Sequence, residues 1–284
     1  MMPDTSKFVS DFLGYDQVSF ASSGVEACEG AVKLARKWGH VVKGIPEDCA
    51  QVILPNGVFW GRSITAAGNS SDPLRGKNLG PHTPGFPLIP YNDLGALENL
   101  LQSNPHVAAV MYEPVQGEAG TVVPDEGFLK GAYDLTRKYN VLLIADEVQA
   151  GLGRTGHLRA ADHDLLQYGL KPDIVVLGKA LSGGMTPASG FVADRELMGS
   201  FSAGDQGSTF GGNPLTMAIV RASLEVLRDE GLVENAAERG EQLRSGLRGI
   251  NSALVRDVRG RGLMNALEVN KDSHVTGHDL AKIF

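Results

Sequence analysis

Lys179 stands at the end of the run Ile174, Val175, Val176, Leu177, Gly178, with two more glycines at 183 and 184. A lysine is costly to bury, and one held in a poorly hydrated pocket loses proton affinity and becomes a nucleophile toward carbonyls. Asp146 occupies a similar place, after the five apolar residues of "VLLIAD". A desolvated carboxyl there needs a cationic partner to stay ionised. In "SSGVE", Ser22, Ser23, Gly24 and Val25 offer hydroxyls and backbone N–H groups at a helix start, a geometry that binds phosphate. "GVFWGR" (57–62) joins aromatic rings to a guanidinium, and "GSTFGGNP" (207–214) is rich in hydroxyls and glycine. Singly, each has an ordinary reading as a solvated lysine, a turn-forming aspartate or a helix cap. Together, a carbonyl-trapping lysine, a buried acid, a phosphate cradle and a flat ring describe one ligand. Pyridoxal phosphate needs a lysine to bond its aldehyde, an acid to keep its ring nitrogen protonated, an anion site and a stacking surface.

The elements that must position these groups can be read from periodicity. Residues 25–38 form an amphipathic helix, with Cys28, Ala31, Val32, Ala35 and Trp38 on one face. Its acids lie in the first half and its bases in the second, as the helix dipole prefers, and "FASSG" supplies a serine cap. The apolar runs 51–55, 107–114, 141–148 and 173–178 read as strands, with a helix over 127–140 between the second and third. Continuous apolar runs alternating with helices imply a mostly parallel sheet covered on both faces. In such sheets ligands sit at the carboxyl ends of the strands, where Asp146 and Lys179 both fall. A helix over 214–231 and another over about 232–250 follow, and 253–269 alternates around the Gly-Arg-Gly of 260–262. The expected fold class is therefore α/β over residues 1–230, with a smaller α+β unit over 231–284. That unit is expected to be incomplete, because "GHDLAKIF" stops inside a helical pattern.

Bulk composition narrows the function. The 284 residues are 42% hydrophobic and 21% charged, an ordinary globular balance, and the net charge of −7 argues against a nucleic-acid surface. No apolar run has the length of a membrane span. The opening "MMPDTSKFVSDF" has neither a signal peptide's apolar core nor an Arg-rich transit pattern. The expected location is the cytoplasm, or the mitochondrial matrix where a targeting segment precedes this stretch. Cys28 and Cys49 fit no metal spacing and read as small buried hydrophobes in a reducing compartment.

The segments "SGVEACEGAVKLARKWG", "VFWGRSITA", "GPHTPGFPLIPYND", "EPVQGEAGTVVPDEGFL", "LLIADEVQAGLGRTG", "KPDIVVLGKALSGG" and "GSTFGGNPL" together resemble the class III aminotransferases of fold type I. The resemblance runs through "VRGRGLMNAL" and covers nearly the whole chain. It implies pyridoxal phosphate as cofactor, with Lys179 bonding its aldehyde and Asp146 partnering its ring nitrogen. It further implies Gln149 at the ring oxygen, Phe59 stacked on the ring, and Gly24 and Val25, with Ser23, at the phosphate. Ser208 and Thr209 resemble a pair that reaches the phosphate of a neighbouring subunit, so the site would need at least a homodimer. Arg62 is the candidate for a substrate carboxylate. Glu118 resembles an acid that masks a second arginine, found C-terminally in the family and lying beyond the last residue here. "FWGR", "YND" and "LGKALSGG" favour the branch that moves the δ-amino group of ornithine to 2-oxoglutarate, giving glutamate 5-semialdehyde and glutamate. Acetylornithine and γ-aminobutyrate donors are the alternatives within the family. Apparent truncation at both ends leaves a further one, a folded or dimerising chain with impaired turnover.

Other patterns carry different chemistry and fail on context. "GLGRTG" (151–156) matches a dinucleotide-binding spacing, but the polar "HLRAADHD" follows where an apolar helix should open. "VLLIADE" imitates part of a nucleotide hydrolase, yet the chain has no phosphate-binding G-x-x-x-x-G-K-[ST] loop. Glu113 and Glu147 with scattered histidines could suggest a metal. His157 and His163, six residues apart on a polar stretch, are read as solvated, and no metal is expected.

Overall fold

The computed structural model describes residues 2–282, so the outermost ends of both expected units (residue 1 and residues 283 and 284) lie outside the described residues. Helix α1 (Met2–Leu13) leads into β1 (Gln17–Ala21) and α2 (Gly24–Val41). Strand β2 (Gln51–Pro55) is followed by the short α3 (Ile64–Gly68), β3 (Leu88–Ile89) and α4 (Leu94–Ser103). Then β4 (Val107–Tyr112), α5 (Phe128–Lys138), β5 (Leu142–Asp146), α6 (Asp162–Leu165) and β6 (Ile174–Leu177) alternate. The sheet unit closes with β7 (Ser189–Ala193), α7 (Arg195–Met198) and α8 (Pro214–Asp229). Beyond it come α9 (Leu232–Arg248), the hairpin β8 (Val255–Arg261) and β9 (Met264–Val269), and the one-turn α10 (Gly277–Ala281).

Seven strands form one sheet in the order β1-β7-β6-β5-β4-β2-β3. All neighbours are parallel except β7, which is antiparallel to both β1 and β6. The carboxyl ends of the six remaining strands therefore share one edge. The strand residues explain the two-sided cover. In β6, Val175 and Leu177 face one core cluster, which includes Leu97, Leu129 and Val220 of α4, α5 and α8. Ile174 and Val176 face the other, built on Ala31, Leu34 and Ala35 of α2. A strand buried on both faces has no use for polar alternation, which is why these runs are continuously apolar.

The periodic elements fall within a few residues of their expected places. The remaining elements, α1, β1, α3, β3, α4, α6, β7 and α7, were not expected from periodicity. The hairpin differs from expectation in its turn. Gly260 and Arg261 continue β8, and the chain reverses at Gly262 and Leu263. A close approach drives this, since a Cβ on Gly240 of α9 would lie 1.8 Å from the carbonyl oxygen of Gly262. Arg244, also buried in α9, donates to that same carbonyl at 2.9 Å and to Asn265 Oδ1 at 2.7 Å. No helix among the described residues is long and apolar enough to cross a membrane.

Candidate active site

The shared edge of the sheet carries a pocket of about 260 Å³, lined among others by Gly24, Val25, Phe59, Arg62, Glu113, Asp146, Gln149 and Lys179. They come from the ends of five strands. The β1 end delivers the start of α2, the β2 end Phe59 and Arg62, the β4 end Glu113, the β5 end Asp146 and Gln149, and the β6 end Lys179. Seven of the eleven residues expected at the site thus share one cavity. Ser23, Glu118, Ser208 and Thr209 do not line it.

The start of α2 is built by a capping box. Ser23 Oγ accepts the Glu26 N–H at 3.4 Å, while Glu26 Oε2 accepts the N–H groups of Ser22 and Ser23, each at 2.9 Å. The N–H groups of Gly24 and Val25, in the first helical turn, have no intrahelical acceptor. Both residues line the pocket, at the positive end of the helix dipole, as an anionic group requires.

Asp146 is 4% exposed. Its Oδ1 accepts the Val148 N–H at 3.1 Å, and its Oδ2 accepts the Cys28 thiol at 3.4 Å. Burial pushes its pKa up to about 6, with these hydrogen bonds and the charge of Lys179 pulling the other way. The expected cationic contact is thus replaced by two hydrogen bonds and a lysine across the pocket. Burial and the Asp146 charge in turn push the Cys28 thiol well above its usual range. Cys28 is more than a space-filling hydrophobe, and its partner could not have been read from local periodicity.

Lys179 departs from expectation in two ways. Its side chain is exposed rather than sealed from water, because it lines both this pocket and an adjoining cavity of about 770 Å³. Its backbone is left-handed, with φ of 41°, a conformation that costs a non-glycine residue about 1 kcal/mol or more and gathers at functional sites. A Cβ on Gly178 would meet Val148 Cγ1 at 3.1 Å, so that glycine admits a side chain of the β5 loop.

Glu118 is exposed and lines the adjoining cavity with Lys179, Gln149 and Arg154. Arg154, a cation facing that cavity, went unnoticed inside the "GLGRTG" decoy. Phe59 carries the Arg75 guanidinium over its ring, 4.9 Å from the centroid. Ser208 Oγ donates to Glu26 Oε1 at 3.1 Å, and Thr209 is exposed.

The rejected patterns are packing devices. Gly156 of "GLGRTG" lies against α9, where a Cβ would come within 2.9 Å of Ala237 Cβ. Glu147 is buried with its oxygens accepting the N–H groups of Ala160 and Ala161 at 2.6 and 2.9 Å. His163 is not solvated as expected. Its Nε2 lies 2.9 Å from the Thr155 carbonyl and its ring 4.2 Å from that of His157. Burial first, then the charge of Arg261, lowers its pKa to about 4. Among the described residues no group of three or more His, Cys, Asp or Glu could hold a metal ion.

The aminotransferase class-III family matches residues 3–284. The chain belongs to the class III aminotransferases. Among curated relatives of this aminotransferase, the probable ornithine aminotransferase, mitochondrial, of Caenorhabditis elegans is 48% identical over 95% of the chain. The ornithine aminotransferase, mitochondrial, of Rattus norvegicus is 47% identical over the same share. The chain spans 63% and 61% of the lengths of these two relatives. The ornithine aminotransferase from Toxoplasma gondii, solved with partial occupancy of PLP at its active site, superposes with a TM-score of 0.91 at 47% identity, covering 95% of this chain and 63% of that one. An acetylornithine aminotransferase from Elizabethkingia anophelis gives 0.83 at 43% identity, covering 96% and 65%.

Proposed function

We propose that this class III aminotransferase binds pyridoxal phosphate and moves the δ-amino group of ornithine to 2-oxoglutarate, giving glutamate 5-semialdehyde and glutamate. The observation that carries the reading is the meeting, in one pocket, of Lys179, buried Asp146 and the open N–H groups of Gly24 and Val25. The lysine suits an aldehyde, the acid a pyridine nitrogen, and the amides a phosphate, so the residues present fit the cofactor. Ornithine as donor is supported by relatives of that name at 46–48% identity.

When bound, pyridoxal phosphate supplies an aldehyde that amines capture and a protonated ring that takes up the electron pair left by deprotonation of the substrate carbon. The chain's own residues do the rest. Lys179 Nζ would hold the cofactor and then serve as base and acid, taking the proton from the substrate carbon and delivering it to the cofactor carbon. Asp146 keeps a negative charge opposite the ring nitrogen. Gln149 hydrogen-bonds the ring oxygen, and Phe59 covers one ring face. Gly24 and Val25 would hold the phosphate at the α2 start, with Ser23 capping the helix beside them. Arg62 pairs with a substrate carboxylate through its planar fork. Glu118, facing the adjoining cavity beside Arg154, governs which side chain enters. The site is completed in at least a homodimer, through Ser208 and Thr209 of the neighbouring subunit. We take residues 1–230 as the cofactor-binding unit and 231–284 as a second unit docked on it.

The test is chemical. Protein loaded with pyridoxal phosphate should absorb in the visible, and borohydride should fix the cofactor's mass on a peptide containing Lys179. Lys179→Ala should lose both signals, and an unchanged spectrum in that variant refutes the assignment. With ornithine and 2-oxoglutarate the wild type should release semialdehyde. A preference for acetylornithine, which the Elizabethkingia likeness makes the second reading, would move the donor and leave the cofactor site as assigned.

A further inference from the structure

The roles above leave one buried acid of the pocket without a task. Glu113 follows β4 directly, is 5% exposed and lines the cavity. Its Oε1 accepts the Phe59 N–H at 2.9 Å, and its Oε2 accepts the Gly117 N–H at 3.1 Å. The two amides belong to different walls. Phe59 lies on the loop after β2, which also carries Arg62, and Gly117 lies on the loop after β4, which carries Glu118. From behind, the Tyr91 hydroxyl donates to the main-chain carbonyl of Glu113 at 3.0 Å and fixes the root of the side chain.

Only a carboxyl offers two acceptor oxygens to two N–H donors, whereas a glutamine offers one and turns an NH₂ toward the other. An acid is also the costly choice. Burial and the Asp146 charge push Glu113 up to about 8 against the pull of its two N–H bonds. A residue that merely filled space here would avoid that cost. The effect of the clamp reaches the ring-oxygen position as well. A Cβ on Gly117 would overlap Gln149 Oε1 at 1.3 Å, so Gln149 rests directly on the residue that Glu113 holds.

We propose that Glu113 is a positioning residue, a two-oxygen clamp that sets the distance between the wall bearing Phe59 and Arg62 and the wall bearing Gln149 and Glu118. This rests on the cofactor reading for those four residues. By tying both loops to one carboxyl, the clamp fixes Phe59 relative to Gln149 and Arg62 relative to Glu118.

The test uses Glu113→Gln, with Glu113→Ala removing both arms. In cofactor-free protein, hydrogen exchange should accelerate in one of the segments 57–62 and 115–120 in the glutamine variant and in both together in the alanine variant, while the thermal midpoint moves little. The dissociation constant of pyridoxal phosphate should rise about tenfold, as expected for one lost charge-assisted bond. KM for both substrates should rise more than kcat falls. Wild-type cofactor affinity and unchanged exchange in the glutamine variant overturn the proposal, as does acceleration of only one segment in the alanine variant. Should both variants fail to fold, the wild type still decides the matter. Its Phe59 and Gly117 amides should be protected well beyond their exposed loop neighbours, and exchange at neighbour rates sinks the clamp. Failure of the wild type to bind pyridoxal phosphate would instead refute the cofactor reading on which the clamp rests.

Discussion

At the scale of single residues, the site combines acids held above their ordinary pKa with donors that restrain them. Asp146 is pushed up to about 6, and Glu113 and Glu147 each to about 8, in every case first by burial. A carboxyl whose folded pKa lies above its unfolded value binds protons more tightly when folded. Its contribution is fully present below the unfolded value and is lost as pH rises through the folded one. Cofactor-free protein should therefore be more stable at pH 5.5 than at pH 8.5, by an amount on the order of 1 kcal/mol or more. Thermal melts at the two values check this, and a higher midpoint at the alkaline value would sink it. Lys179 and Asp146 were legible because each ends an apolar run, where a charge is anomalous. Glu113 also ends such a run, but its partners are backbone amides of Phe59 and Gly117, which no side-chain pattern marks. The burial of His163 was invisible for a similar reason, since its ring contacts the backbone carbonyl of Thr155 and the ring of His157, and the charge of Arg261 reaches it from β8.

At the scale of elements, the decisive contacts are close backbone approaches. The strand-to-helix turn after β1 opens α2 on a capping box and leaves two N–H groups toward the pocket. The smaller unit is fastened where α9 meets the β8–β9 turn at Gly240 and Gly262. Gly240→Ala places a methyl group against a carbonyl oxygen and should destabilise that unit by about 2 kcal/mol. Limited proteolysis and hydrogen exchange should localise the loosening to α9, β8 and β9, with cofactor affinity kept. Uniform loosening of the seven-stranded sheet would contradict the view that these are separable layers. The "GRG" turn was misplaced by the alternation because a two-residue period cannot say where a strand stops when the turn is set by the helix above it.

At the scale of the whole molecule, the sheet order places six carboxyl ends on one edge, and the chain's chemistry collects there. Ser208 and Thr209 stand apart from that pocket, with Thr209 exposed and Phe210 70% exposed beside it. On the dimeric reading, mixing Lys179→Ala with a Ser208→Ala/Thr209→Ala double variant should yield hybrids with one intact site each. About half the wild-type borohydride-fixed cofactor per hybrid dimer is the expected outcome if sites are shared across a C2 interface. Cofactor retained at full strength by the double variant alone would show that the pair has no part in the site.

The sequence by itself determined the type of most elements and the residues able to do chemistry. Continuous burial on both faces writes parallel strands as unbroken apolar runs, and a charge at their ends is conspicuous. Tertiary structure decided the rest. It set β1 beside β7 and β2 beside β4, opened Lys179 to water on two cavities, and gave Asp146 a thiol partner from α2. These follow from contacts between residues up to 176 positions apart, as in the Gln17–Ala193 pair of β1 and β7. Such contacts depend on how whole faces pack, and local periodicity carries no record of them.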